Sequence, residues 1–187
     1  LTNTKLAGKV STVEQEGLIQ VYTGDGKGKT TAAIGQAVRA VGHDFKVGLV
    51  YFFKNPQDFE YGELKALNKL GIKSFHFAPR HPHHYKVGFE EVRRECLKGV
   101  EFVKRLFADK SWDLLILDEL NIALRDGFLK EEEVLELLEA KPPNLELILT
   151  GRGATERVIN KADLVSEIKN VRHPFKRLVT RRKGIEY

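Results

Sequence analysis

The sequence predicts an α/β protein with a mostly parallel sheet and helices on both of its faces. Three observations predict it. Near-continuous apolar runs such as "KVGLVYFF" and "DLLILDEL" alternate with segments of helical period. The first apolar run passes through a glycine-rich turn into a helix, in "VYTGDGKGKTTAAIG". A later run ends in two acids, "LLILDE". With 187 residues, 42% hydrophobic and 30% charged, the chain fits one globular domain.

Each element has its own signal. "GLIQVYTG" is a buried strand entering a turn, and "KTTAAIGQAVRAVG" is a helix with Ala33, Ala37, Val38 and Val41 toward the sheet and Gly42 as its stop. "KVGLVYFF" is the second strand, "YGELKALNKLG" the second helix and "IKSFHF" a short third strand. A histidine-rich loop precedes the long helix "VGFEEVRRECLKGVEFVKRLF", where Phe89, Val92, Cys96, Val100, Val103 and Phe107 form one apolar face. "DLLILDEL" is a strand. "EEEVLELLEA" is a helix with acids in its first turn, ending before Pro142 and Pro143. "LELILTGRG" is a strand running into a second glycine turn, and the tail from Ala162 reads as a strand or two at a sheet edge. Residues 1–16 form a polar N-terminal extension, and residues 17–187 form the domain.

Composition narrows the function. A single cysteine excludes an internal disulfide, no run is long enough for a membrane helix, and the N-terminus has no apolar signal core. A cytoplasmic protein is expected. The net charge of +5 suits an anionic ligand, either a nucleotide or, through the late cluster "KNVRHPFKRLVTRRK", a nucleic acid.

The glycine turn resembles the phosphate-binding motif G-x-x-x-x-G-K-[ST], with one departure. The motif's first glycine would fall at Thr23. From Thr23 through Gly24, Asp25, Gly26, Lys27, Gly28, Lys29, Thr30 and Thr31, the stretch can cradle a nucleotide's phosphates with backbone N–H groups and a helix N-terminus. Lys29 can reach a phosphate oxygen, and Thr30 can offer its hydroxyl to Mg²⁺. Asp25 would repel the triphosphate if it pointed inward, so it should face out or toward a cation. Asp118 at the end of "LLILD" fits a magnesium partner, directly or through water. Glu119 can join it, or can polarise an attacking water as in hydrolytic ATPases. Arg152 in "TGRG" is either a further phosphate contact or a surface arginine after a turn.

These residues resemble the P-loop ATP:corrinoid adenosyltransferase family, whose loop reads T-G-N-G-K-G-K-T-T-A-A. Thr23 to Ala33 match it except that Asp25 replaces the asparagine. The likeness continues in "RAVGH", "LDELNIAL", "LTGRGA", "ADLVSEIKNVRHPF" and the closing "GIEY", from about Gly17 to Tyr187. It implies a single-domain RecA-like P-loop fold that transfers the 5′-deoxyadenosyl group of ATP to the Co(I) of a reduced corrinoid and releases triphosphate. Lys29, Thr30 and Glu119 are then the catalytic candidates, with Lys27, Lys29 and Arg152 around the triphosphate and Thr30, Asp118 and Glu119 around Mg²⁺.

The resemblance also implies a reversed ATP orientation, a reduced flavoprotein as electron donor and a homodimer. Enteric relatives fill the lower face of the corrinoid with a Phe and a Trp after the third strand. Here that segment is "HFAPRHPHHYKVGF", which has no such pair and offers Phe77, Tyr85 and Phe89 instead. Arg39, His43, Phe77, His81 and Tyr85 are the corrinoid-binding candidates. His81, His83 and His84 have no acid or cysteine near them in the run, so they suit a solvent-facing or corrin-contacting loop better than a metal site. The alternative to adenosyl transfer is an ATPase or kinase acting at a phosphate of ATP, with or without nucleic acid.

Overall fold

The computed structural model of the protein describes residues 16–57, 61–172 and 182–185. Six strands form one sheet: β1 (Ile19–Thr23), β2 (Val47–Phe52), β3 (Lys73–Phe77), β4 (Leu114–Asp118), β5 (Glu146–Thr150) and β6 (Leu164–Glu167). Their order is β3-β2-β4-β5-β1-β6, and every pairing is parallel. The helices are α1 (Lys29–Val41), α2 (Gly62–Lys69), α3 (Phe89–Asp109), α4 (Leu120–Arg125), α5 (Glu131–Glu139) and α6 (Glu156–Lys161). The parallel, two-sided sheet expected from the sequence is present, and β6 lies at its edge. The rest of the basic tail, residues 173–181, lies outside the described residues, as does the N-terminal extension up to residue 15.

The central strands β2, β4 and β5 are apolar along most of their length, with Asp118, Glu146 and Thr150 at strand ends, because both of their faces are covered. On one side, Ala33, Ala37 and Ala40 of α1 pack with Leu67 of α2 on Leu49, Tyr51, Ile116 and Ile148. On the other, Val92, Cys96, Val100 and Val103 of α3 pack with α4 and α5 on Val50, Phe52, Leu115, Leu117, Leu147 and Leu149. Alternate residues of one strand thus serve two cores. Burial pushes the Cys96 thiol up to about 12, as suits an inert core position.

Two expected core residues lie outside. Val38 and Phe89 are exposed. Small alanines let α1 sit close to the sheet, so its contact face is a narrow stripe through Ala33, Ala37 and Ala40, and Val38 falls beside it. Phe89 opens α3, beyond the sheet, and leans on Phe128 at 5.0 Å instead. Helices α4 and α6 escaped the sequence pattern because six residues are too few to display a helical period.

Close approach of α3 depends on Gly99. A Cβ there would stand 2.7 Å from Phe52 Cε1 and 3.1 Å from Phe77 Cγ, whereas one at Gly35 on the outer side of α1 would touch nothing within 4 Å. Gly99→Val should therefore lower unfolding stability by about 2 kcal/mol. Gly35→Ala should raise it by about 0.5 kcal/mol or more. Urea titrations of the two variants check both signs.

Candidate active site at the carboxyl edge of the sheet

All six strands point the same way, so the turns after β1, β2, β4 and β5 gather at one edge, where ligands of open α/β sheets bind. The turn after β1 carries the glycine loop. Gly24 and Gly28 have φ of 92° and 128°, which favour glycine. Gly24 and Gly26 also lie under the segment leaving β6: a Cβ on either would come within 2.7 Å of the Ile168 carbonyl oxygen, and Gly26 N–H donates to that oxygen. These two glycines are thus required by packing alone, whatever the loop binds.

Thr23, in place of the motif's first glycine, is buried at the end of β1 and accepts a hydrogen bond from Ala154 N–H at 3.3 Å. The substitution ties the phosphate loop to the "TGRGA" turn. Lys29 is buried and folds back, donating to the carbonyls of Gly24 at 2.6 Å and Gly26 at 2.7 Å. Desolvation lowers its pKa, against the pull of Glu119. Thr30 is half-buried in the first turn of α1, and Asp25 and Thr31 are exposed. Exposed Lys27 donates to the carbonyl of Ile185, which brings the C-terminal turn over the loop.

Asp118 is fully buried. Its Oδ1 accepts from the Thr150 hydroxyl at 2.7 Å. Lys54 Nζ stands 2.9 Å from Oδ2, as an ion pair rather than a directional hydrogen bond. Glu119 takes a left-handed backbone, φ 62° and ψ 18°, and its N–H donates to Thr150 Oγ1 at 3.0 Å. Its buried Oε2 has no hydrogen-bond partner among the described residues, and neither has the amide of fully buried Asn121. Burial and then the charge of Asp118 push the Glu119 carboxyl up to about 7, opposed by Lys54, Lys29 and Arg152. Arg152 is exposed on the turn after β5 but close enough for its charge to act on both Lys29 and Glu119. Gly151 and Gly153 let that turn lie on α4, where a Cβ would meet Asn121 and Arg125 below 3 Å.

The structure thus gathers Thr23, Gly24, Gly26, Gly28, Lys29, Thr30, Asp118, Glu119 and Arg152 at one edge. It does not bring Arg39 and His43 there. They sit in and after the last turn of α1, about 15 Å along its axis from the loop. Phe77 packs on Phe102 at 5.3 Å and faces the α3 side. Lys54 and Thr150 are the site residues that sequence reasoning missed. Thr150 stands in "LTGRG", where nothing in the local pattern sets it apart. Lys54, two residues past β2, carries no motif at all.

The histidine loop gains an acid from elsewhere in the chain. His81 Nε2 lies 2.9 Å from Asp126 Oδ2, and His83 completes a group whose ligand atoms lie within 4.8 Å of one another. His81 Nδ1 faces the His83 N–H at 3.2 Å and must accept, so Nε2 carries the proton and donates to Asp126. Asp126 is also held by both Arg125 nitrogens. This tautomer leaves His81 no lone pair for a cation. The cluster pins the loop to α4, and His83 and His84 face solvent.

Fold and site together define an α/β protein with a P-loop-type glycine turn at the carboxyl edge of a six-stranded parallel sheet. The flagellar accessory protein FlaH of Methanocaldococcus jannaschii shares the fold alone, with a TM-score of 0.58 at 13% identity over 81% of this chain and 71% of its own. The family described as ATP:corrinoid adenosyltransferase BtuR/CobO/CobP matches residues 15–187. The corrinoid adenosyltransferase CobA of Salmonella typhimurium is 39% identical over 181 residues, spanning 93% of this chain and 87% of the relative. The corrinoid adenosyltransferase of Escherichia coli is 38% identical over the same shares, and that of Pseudomonas aeruginosa 35% identical over 93% and 85%. The chain belongs to the ATP:corrinoid adenosyltransferase family.

A carboxyl whose folded pKa exceeds its ordinary 4.5 binds its proton more tightly in the native state. The nucleotide-free protein should therefore lose stability as pH rises from about 4.5 to about 7, by up to about 3 kcal/mol from this group. Glu119→Gln cannot ionise and should flatten that part of the profile, so that its melting temperature exceeds the wild type's at about pH 8 but not at about pH 5. Thermal melts across that range check it.

Proposed function

We infer that the protein transfers the 5′-deoxyadenosyl group of ATP to the cobalt of a reduced corrinoid and releases triphosphate. Family membership across residues 15–187 carries this inference. Co(I) is the nucleophile: its electron pair forms the bond to the 5′ carbon while the carbon–oxygen bond to the triphosphate breaks. No protein nucleophile is required, and the chain's part is to align the substrates and stabilise the departing charge.

The site's residues suit that part. Lys29, already curled into the loop, exchanges its two carbonyl partners for triphosphate oxygens, and the N–H groups of Lys27 to Thr30 surround them. Lys27 and Arg152 approach from the exposed side. The residues present fit a hard divalent cation, because the buried, unpartnered Oε2 of Glu119 and the hydroxyl of Thr30 are both oxygen donors. Thr30 and Glu119 would hold Mg²⁺. When bound, Mg²⁺ neutralises phosphate oxygens as triphosphate leaves.

The corrinoid is placed on the β2–β3 side. A cleft of about 420 Å³ lies there, with Asn55, Gln57, His76, Pro79 and Arg80 among its walls, next to the loop that carries His81 and Tyr85. Its mixed lining suits a macrocycle rimmed with amides. A reduced flavoprotein donor, a homodimer and a cytoplasmic setting rest on the family resemblance and the composition.

The experiment is anaerobic: mix protein, Mg-ATP and chemically reduced cob(I)alamin, follow the visible spectrum and identify the phosphate product. A light-sensitive adenosylated corrinoid with stoichiometric triphosphate is expected, and Lys29→Met should reduce its rate by about 100-fold or more. Orthophosphate without corrinoid alkylation would replace the transferase by a hydrolase using Glu119.

A further inference from the structure

Lys54 stands beside the nucleotide site and belongs to no recognised motif. Phe53, with φ 59°, turns the chain at the end of β2 so that Lys54 folds back over the strand ends. Its ammonium lies 4.7 Å from the centre of the Tyr51 ring, 2.9 Å from Asp118 Oδ2 and 3.7 Å from Glu63 Oε1. Its side chain is only 18% exposed.

We propose that Lys54, Asp118 and Thr150 form a positioning unit in which Asp118 is a buried anchor, not a ligand of the cation, and Glu119 is the carboxylate it holds ready. The inference rests on the proposal that a divalent cation sits between Thr30 and Glu119. One Asp118 oxygen accepts from Thr150; the other makes no hydrogen bond but is ion-paired at 2.9 Å with the Lys54 ammonium. The Thr150 hydroxyl has one proton. By giving it to Asp118, it turns its lone pairs toward Glu119 N–H, which it accepts at 3.0 Å. That bond supports Glu119 in a left-handed conformation that a glutamate side chain does not favour. If Asp118 swung to a cation, it would leave a mostly buried ammonium and a buried hydroxyl without their acceptor. Glu119 differs in its charge partner: its backbone is fixed, and among the described residues its Oε2 has neither a hydrogen bond nor a close ion pair such as Lys54 gives Asp118.

The test measures Mn²⁺ binding in the presence of ATP and absence of corrinoid, from the loss of the free-ion paramagnetic resonance signal. Glu119→Gln should weaken binding at least tenfold. The double variant Lys54→Met with Asp118→Asn removes the ion pair as a neutral unit, and its new amide oxygen still accepts from Thr150. It should bind within about threefold of wild type. Thr150→Val should weaken binding several-fold, and Thr150→Ser should restore it. A double variant as weak as Glu119→Gln would make Asp118 a ligand and overturn the proposal. Should Glu119→Gln bind normally, the cation assignment itself falls, which is a distinct result.

A wild-type measurement covers the case in which a variant fails to fold. Mn²⁺ bound to protein carrying ¹³C in its glutamate carboxyls should show a strong nuclear coupling, and protein carrying ¹³C in its aspartate carboxyls should not. A strong aspartate coupling overturns the proposal.

Discussion

The Thr150 hydroxyl joins two strand ends that would otherwise meet only through their backbones. It donates to Asp118 at the end of β4 and accepts from the backbone of Glu119, so that the same oxygen serves a buried charge and a left-handed turn. The turn aims Glu119 and starts α4 at the next residue. Helix α4 supplies Asn121 and Arg125, on which the glycines of "TGRG" rest, and Arg125 holds the Asp126 that fixes His81. From that hydroxyl the structure reaches the Glu119 carboxyl, the second glycine turn and the histidine loop in a few contacts. Thr23 closes the circuit by binding Ala154 from the phosphate-loop side.

Charge follows the same geometry. Two adjacent carboxylates are buried at one strand end, an arrangement that destabilises both unless cations stand near. Lys54 meets Asp118 directly, while Lys29 and Arg152 act on Glu119 from a distance. The site thus holds one acid paired closely with a cation and one, Glu119, without such a partner among the described residues. That imbalance suits a reaction whose main demand is to accept charge on a departing triphosphate. The corrinoid supplies the nucleophile, so nothing here needs to resemble a triad or an attacking water.

The histidine loop shows how a short-range pattern misleads. In the sequence, His81, His83 and His84 have no acid beside them. The fold delivers Asp126 from the end of α4, over forty residues away, and the resulting hydrogen bonds fix a tautomer in which His81 acts as a clasp. Arg39 and His43 show the reverse: they belong to a family-like stretch, "RAVGH", yet the length of α1 carries them away from the loop. Motif membership and spatial membership of the site are separate properties.

Alternation of apolar runs with helical periods was enough to determine a parallel, two-sided sheet, because residues buried on both faces of a strand must all be apolar. The glycine loop and the acidic strand end were legible for a related reason: backbone that must turn at positive φ, or approach another chain segment, leaves glycine little competition, and a strand that ends in acids advertises a cation. What the tertiary structure decided was how the charges are shared. Lys54 and Thr150 have no local signature, since an ion pair or a hydroxyl bridge between separate strands leaves no periodicity along the chain. Only the parallel register, which sets β5 beside β4 and β2 on its other side, puts Thr150 and Lys54 against the two oxygens of Asp118 and leaves Glu119 open.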